Sequence, residues 1–197
     1  MKPKLIKYPI EKSIMKISYN IKFIALLSLG FILLQSCSKD DPDHIHDHSE
    51  ITNVTFVIEA TDEPSQTIIW EDGTQKIETI TLKSNMDYNV AISFTNESDP
   101  SNIDNITLEV IDEADEHQVF YEFSEVLVDV TSASNDTVDS NGYAVLLNSV
   151  WNASTTGTGI VRAYLIHEPN SKSGSTRDAI GGFNDVSIDI PILVVDQ

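Results

Sequence analysis

YNVAISFT, residues 88–95, decides the fold: Tyr88, Val90, Ile92 and Phe94 alternate with Asn89, Ala91, Ser93 and Thr95. An extended chain turns successive side chains to opposite faces, so this stretch has one apolar face and one polar face, as a half-buried strand requires. The same period of two recurs on both sides of it. Val54, Phe56, Ile58 and Ala60 alternate with Thr55, Val57 and Glu59; Ile106, Leu108 and Val110 alternate with Thr107 and Glu109. Val161, Ala163 and Leu165 repeat the pattern, as do Val186, Ile188 and Ile190. Turn signals separate the runs at Glu71-Asp72-Gly73, Ser98-Asp99-Pro100, Asp139-Ser140-Asn141-Gly142, Thr156-Gly157-Thr158-Gly159 and Gly181-Gly182. No long segment carries a helical stripe.

Many short strands with regular turns predict an all-β domain over residues 51–197, an antiparallel β-sandwich of immunoglobulin-like kind with eight or nine strands. The disulfide usual in such domains is absent, because the single cysteine, Cys37, precedes the domain. Trp70 and Trp151 fit either the core or a surface site. Pro191 removes one ladder donor from the last strand and predicts an edge position or a bulge there.

Upstream of the domain the pattern changes. Residues 23–34, FIALLSLGFILL, are 12 apolar or small residues with no charge. A membrane-spanning helix needs about 20 such residues, whereas a secretory signal core needs about 7–15 behind a basic segment. Lys2, Lys4, Lys7, Lys12, Lys16 and Lys22 supply that basic segment, and a compact form of the same signal begins at Met15, read here as the true start. The run ends Leu34-Gln35-Ser36-Cys37, which resembles a bacterial lipobox. That resemblance implies a signal peptide over residues 1–36, diacylglycerol on the Cys37 thiol, cleavage before Cys37 and acylation of the new terminus. Each buried methylene adds about 0.8 kcal/mol of membrane affinity, so several chains anchor firmly where one does not. A lone thiol has no intramolecular partner and is a liability outside the cytoplasm, which favours lipidation over a structural cysteine. The residues that follow, Ser38-Lys39-Asp40-Asp41, resemble the acidic export signal of Bacteroidota surface lipoproteins, which implies the outer face of an outer membrane.

Residues 37–50 form the lipidated cysteine and a tether. The tether holds one isoleucine and no aromatic residue, with acids at Asp40, Asp41, Asp43, Asp47 and Glu50. Such a composition cannot offset chain entropy by burial and is expected to be disordered, spanning on the order of 20 Å as a coil. It also holds His44, His46 and His48, three of the chain's five histidines, beside Asp43 and Asp47. Imidazoles two residues apart lie ~7 Å from one another on one side of an extended chain. Neutral imidazoles with carboxylates suit Zn or Cu, and binding would weaken as the histidines protonate. The alternative is a polar spacer.

Charge excludes one partner class. Removing the signal leaves six basic side chains against 30 acidic ones. Such a surface repels phosphates, so no nucleic acid partner is expected.

Three further motifs were weighed. His117 shares a strand face with Val119, Tyr121 and Phe123, and His167 continues the apolar face of its strand; both read as strand-end histidines, with a metal-ligating role as the sharper alternative. In Asp136-Thr137-Val138-Asp139-Ser140-Asn141-Gly142 an EF-hand loop aligned on Gly142 would begin at Thr137 and end at Asn148, neither of which fits. The segment is therefore read as a tight acidic turn. Asp136-Thr137-Val138 resembles the Bacteroidota O-glycosylation motif, which implies a glycan on Thr137. No nucleophile elbow, phosphate loop or helical zinc-enzyme histidine pair is present, so no enzyme is predicted.

The C-terminal half, GTGIVRAYLIHEPNSKSGSTRDAIGGFNDVSIDIPI, with EHQVFYEF, resembles uncharacterised flavobacterial lipoproteins over most of residues 51–195. The resemblance implies a β-rich surface domain serving a TonB-dependent transporter and assigns no functional residue. Two functions are expected: a non-enzymatic outer-membrane lipoprotein that helps capture a nutrient such as a divalent transition metal, or an adhesion or glycan-binding module using Trp70, Trp151 or Tyr164.

Overall fold

The structure is a computed structural model, and it describes residues 50–197. Along the chain run β1 (Asn53–Glu59), β2 (Gln66–Glu71), β3 (Ile80–Lys83), β4 (Asp87–Thr95), α1 (Ile106–Asp112), β5 (His117–Ser124), β6 (Val128–Ser132), β7 (Asn148–Ala153), β8 (Gly157–His167), α2 (Arg177–Ile180) and β9 (Phe183–Val195). They build the expected sandwich from a five-stranded sheet, β2-β1-β4-β7-β6, and a four-stranded sheet, β3-β9-β8-β5. Every ladder is antiparallel except β3–β9, which is parallel.

The alternation read from sequence is the alternation of burial. Val54, Phe56 and Ile58 on β1 and Tyr88, Val90, Ile92 and Phe94 on β4 turn into one core with Val161, Ala163 and Leu165 on β8 and Ile188, Ile190 and Ile192 on β9. Ala60 lies one residue beyond β1. Trp151 is fully buried on β7 and meets Phe56, Tyr121 and Phe123 edge-on at centroid distances of 6.3, 5.1 and 5.1 Å. Such pairs add about 0.5–1.5 kcal/mol each beyond burial. Its indole N–H donates to Ser149 Oγ at 2.9 Å, which satisfies the one polar atom it takes inside. Trp151 is thus a core residue, and Trp70 is half-buried against the same core.

Two expectations are corrected. Ile106, Leu108 and Val110 do not form a strand; they belong to α1. Ile106 and Val110 are buried, whereas Leu108 is 58% exposed, which is the i, i+4 signature of a helix face. The helix docks on the end of β4 through Thr107, whose Oγ1 accepts from Phe94 N at 2.8 Å and donates to Phe94 O at 3.1 Å. It thereby satisfies backbone groups that lie beyond the last residue of β4 paired with β7, Ala91.

The turn expected at residues 156–159 falls earlier, because Gly157 and Gly159 already belong to β8. A Cβ on Gly159 would stand 2.1 Å from the Ser124 carbonyl oxygen, so this glycine permits the close approach of β5 rather than a turn.

Pro191 sits opposite Ile160, one residue before β3 joins the other side of β9 at Ile192. The bulge lies elsewhere: Leu165 faces Val186 while Ile166 faces Asn184, leaving Asp185 as the extra residue of β9.

Candidate functional site

His117 opens β5 and His167 closes β8, and the β5–β8 register places them directly opposite each other. Their rings stack at 4.9 Å with an interplanar angle of 10°. Sequence reasoning found both residues and their strand faces but had no register with which to bring them together. The third member of the group, Asp185, it missed. Asp185 is turned inward by the β9 bulge, placing Oδ2 3.6 Å from His117 Nε2 and Oδ1 4.0 Å from His167 Nδ1. A one-residue insertion leaves no periodic trace, so nothing in the sequence marks it.

The turn of residues 113–116, between α1 and β5, completes the group from the other side. His117 Nδ1 lies 3.2 Å from the Glu113 carbonyl oxygen. A carbonyl only accepts, so this nitrogen carries the proton in the neutral ring. His167 Nε2 lies 3.6 Å from Glu116 Oε2. The His117 side chain is 2% exposed. Burial lowers its pKa; the Glu113 carbonyl and the Asp185 carboxylate oppose that shift without cancelling it, so the ring stays neutral at ordinary pH.

A recess of about 290 Å³ opens beside this group, lined by His117, Asp185, Glu50, Asp72 and Glu109 among apolar Ile51, Ile106 and Leu165. Four carboxylates at its walls favour a cation over an anion. Among the described residues no group of three or more His, Cys, Asp or Glu is arranged to hold a metal ion. His117 and His167 are therefore brought together as a stacked pair inside a carboxylate frame.

A buried charge pair braces the same end. Lys172 Nζ stands 3.3 Å from Asp139 Oδ2, with side-chain exposures of 6% and 3%, and donates to the Ala114 carbonyl. Burial alone would raise the Asp139 pKa. The N–H groups of Tyr143 and Asn141, with Lys172, outweigh it and hold the carboxyl below the usual range. This is the expected tight acidic turn, with Gly142 at φ 85°. Thr137, beside it, is half-buried and its carbonyl accepts from Val145 N at 2.9 Å.

The aromatic residues expected at a glycan surface are placed otherwise. Trp151 is fully buried and Tyr164 is 7% exposed, under the loop of residues 168–182. Phe183 and Tyr143 are the exposed aromatic rings among the described residues, at 70% and 47%. Cys37, Ser38, Lys39, Asp40, Asp41, Asp43, His44, His46, Asp47 and His48 lie outside the described residues.

No protein-family model matches the chain, and no curated protein matches it either.

Proposed function

We propose that this chain is a non-enzymatic lipoprotein of an outer membrane, of the Bacteroidota surface type. Acyl chains on Cys37 hold it, and its β-sandwich stands in the aqueous medium outside. The observation that carries this reading is the apolar run of residues 23–34 ending three positions before the chain's single cysteine, with acids following from Asp40. The folded domain supports it in one respect: its core closes without any cysteine, which leaves that thiol without a structural task among the described residues.

The protein captures a nutrient for a TonB-dependent transporter, and the nutrient is a divalent transition metal, Zn or Cu. His44, His46 and His48 with Asp43 and Asp47 are its ligands. What supports the tether as the ligand set is the clustering of three of the chain's five histidines within five residues, beside Asp43 and Asp47. The acidic recess of the domain would raise the local concentration of cations without ligating them.

Calorimetric titration of the purified full-length protein with Zn²⁺ and Cu²⁺ tests this. Saturable binding that disappears when His44, His46 and His48 are replaced by alanine is the expected result. Binding that is absent, or that survives the triple replacement, removes the tether from the mechanism. The second reading, a glycan-binding module, is favoured by a separate surface of the domain.

A further inference from the structure

The outer face of the four-stranded sheet presents its side chains in cross-strand rows. Glu122, Arg162 and Asp189 stand directly opposite one another on β5, β8 and β9. The row on one side is Phe120, Tyr164 and Ser187; the row on the other is Ser124, Ile160 and Pro191. The loop of residues 168–182 walls off one end. Its Ile180 packs with Tyr164, Ile166 and Phe120, and Arg177 lies 5.8 Å from the centre of the Tyr164 ring. What stays open is a groove of about 550 Å³. That lies within the range of about 300–1,000 Å³ usual for small-ligand sites.

The polar row is already hydrogen-bonded internally. Arg162 Nε and Nη2 donate to Asp189 Oδ1 and Oδ2 at 2.5 and 2.6 Å, and Tyr164 OH donates to Glu122 Oε2 at 2.7 Å. This pairing lowers the Asp189 pKa and raises that of Arg162. An ionic ligand would have to displace a bidentate internal partner to gain a strong contact. Yet the Arg162 and Asp189 side chains are 49% and 43% exposed, and the guanidinium, with five N–H donors, spends two on Asp189 and also bonds the Tyr164 hydroxyl, which leaves donors over. Spare donors and spare acceptors thus stand side by side, with apolar surface next to them: Ile160 is 43% exposed.

Donors and acceptors side by side with an adjacent apolar step fit a ligand with hydroxyl edges and C–H faces, and two carboxylates against one guanidinium disfavour an anion. The chain's net charge of −19 further disfavours acidic polymers. We propose that this groove binds a neutral saccharide, with Arg162 and Asp189 bonding its hydroxyls and Ile160 and Phe120, two rows apart, each carrying the C–H face of a different ring of the chain. The site belongs to the folded domain and is independent of the anchor and of the tether histidines.

The test is calorimetric titration of purified full-length protein with neutral hexasaccharides (cello-, laminari-, manno- and xylohexaose) and, as a charged arm, an oligogalacturonate. Saturable binding of at least one neutral chain, with Kd at or below ~1 mM, is the expected result. Arg162→Ala and Ile160→Asp should each weaken it about tenfold or more, with the unfolding midpoint little moved because both side chains are surface groups. The triple alanine variant at His44, His46 and His48 should bind the sugar unchanged, which separates this site from metal capture. Absence of binding to all four neutral chains, binding to the oligogalacturonate alone, or binding that survives both groove variants overturns the proposal.

Discussion

His117 shows how single side chains set the pH range of this fold. Its ring is buried and neutral, stacked on His167, with its pKa lowered by burial. A histidine with a depressed folded pKa contributes stability above its unfolded value of about 6.5, and that stability is lost as pH falls below it. Unfolding by urea should therefore become easier between pH 7 and 5.5, before the carboxylates titrate, and His117→Gln should flatten that fall. A wild-type profile that is level across this window would contradict the assignment. Asp136 is a second residue with several tasks. Its Oδ2 accepts from Ser132 Oγ at 3.0 Å and Leu146 N at 2.9 Å, and its Oδ1 accepts from Asn148 N at 2.9 Å. Leu146 has φ 65°, a conformation that leucine rarely adopts, and the carboxylate helps hold it there. Asp136→Ala leaves two backbone N–H groups short of a partner and should cost about 1–3 kcal/mol in urea unfolding.

Among elements, β8 is the one on which the fold turns. It pairs with β5 and β9 over its length and carries both the core face and the outer groove. Gly159 lets β5 approach, and Gly159→Ala would press a Cβ against the Ser124 carbonyl oxygen. The cost should be about 1–3 kcal/mol, with faster amide exchange at the Ser124 end of β5 as the local sign. Two elements show where sequence reading stops. β1, β4 and the second half of β9 were legible because one face of each is buried and the other is not, which writes a period of two into the residues. α1 was misread because Ile106 and Val110 lie four apart, a spacing that satisfies both a strand face and a helix face over so short a run. The glycines at 157 and 159 looked like a turn, since a glycine required by a close neighbour and one required by a turn are written alike. The histidine pair was half legible: each residue was visible, their register was not, and the Asp185 bulge that completes the group left no trace. Tyr164 belongs to the same lesson. From Ala163 to His167 every residue of β8 is buried, because the loop of residues 168–182 covers the outer face there, and no local pattern announces that cover.

At the scale of the whole molecule, charge dominates. A net charge of −19 makes the folded state repel itself, and the acids at the histidine end add to this locally. Screening should relieve that repulsion, so raising sodium chloride from about 0.02 to 0.5 M should raise the thermal midpoint, most at the low end of the range. A midpoint that falls with salt would mean that favourable ion pairs such as Arg162–Asp189 outweigh the repulsion. Among the described residues no helix is long and apolar enough to cross a membrane. The proposed location, outside the cell on acyl chains attached to Cys37, gives the binding proposals their biological meaning. Metabolic labelling with radioactive palmitate, followed by isolation of the full-length protein and of its Cys37→Ser variant, tests it most directly. Label on the wild-type protein and none on the variant is the predicted result; an unlabelled wild-type protein, or label that persists on the variant, contradicts it.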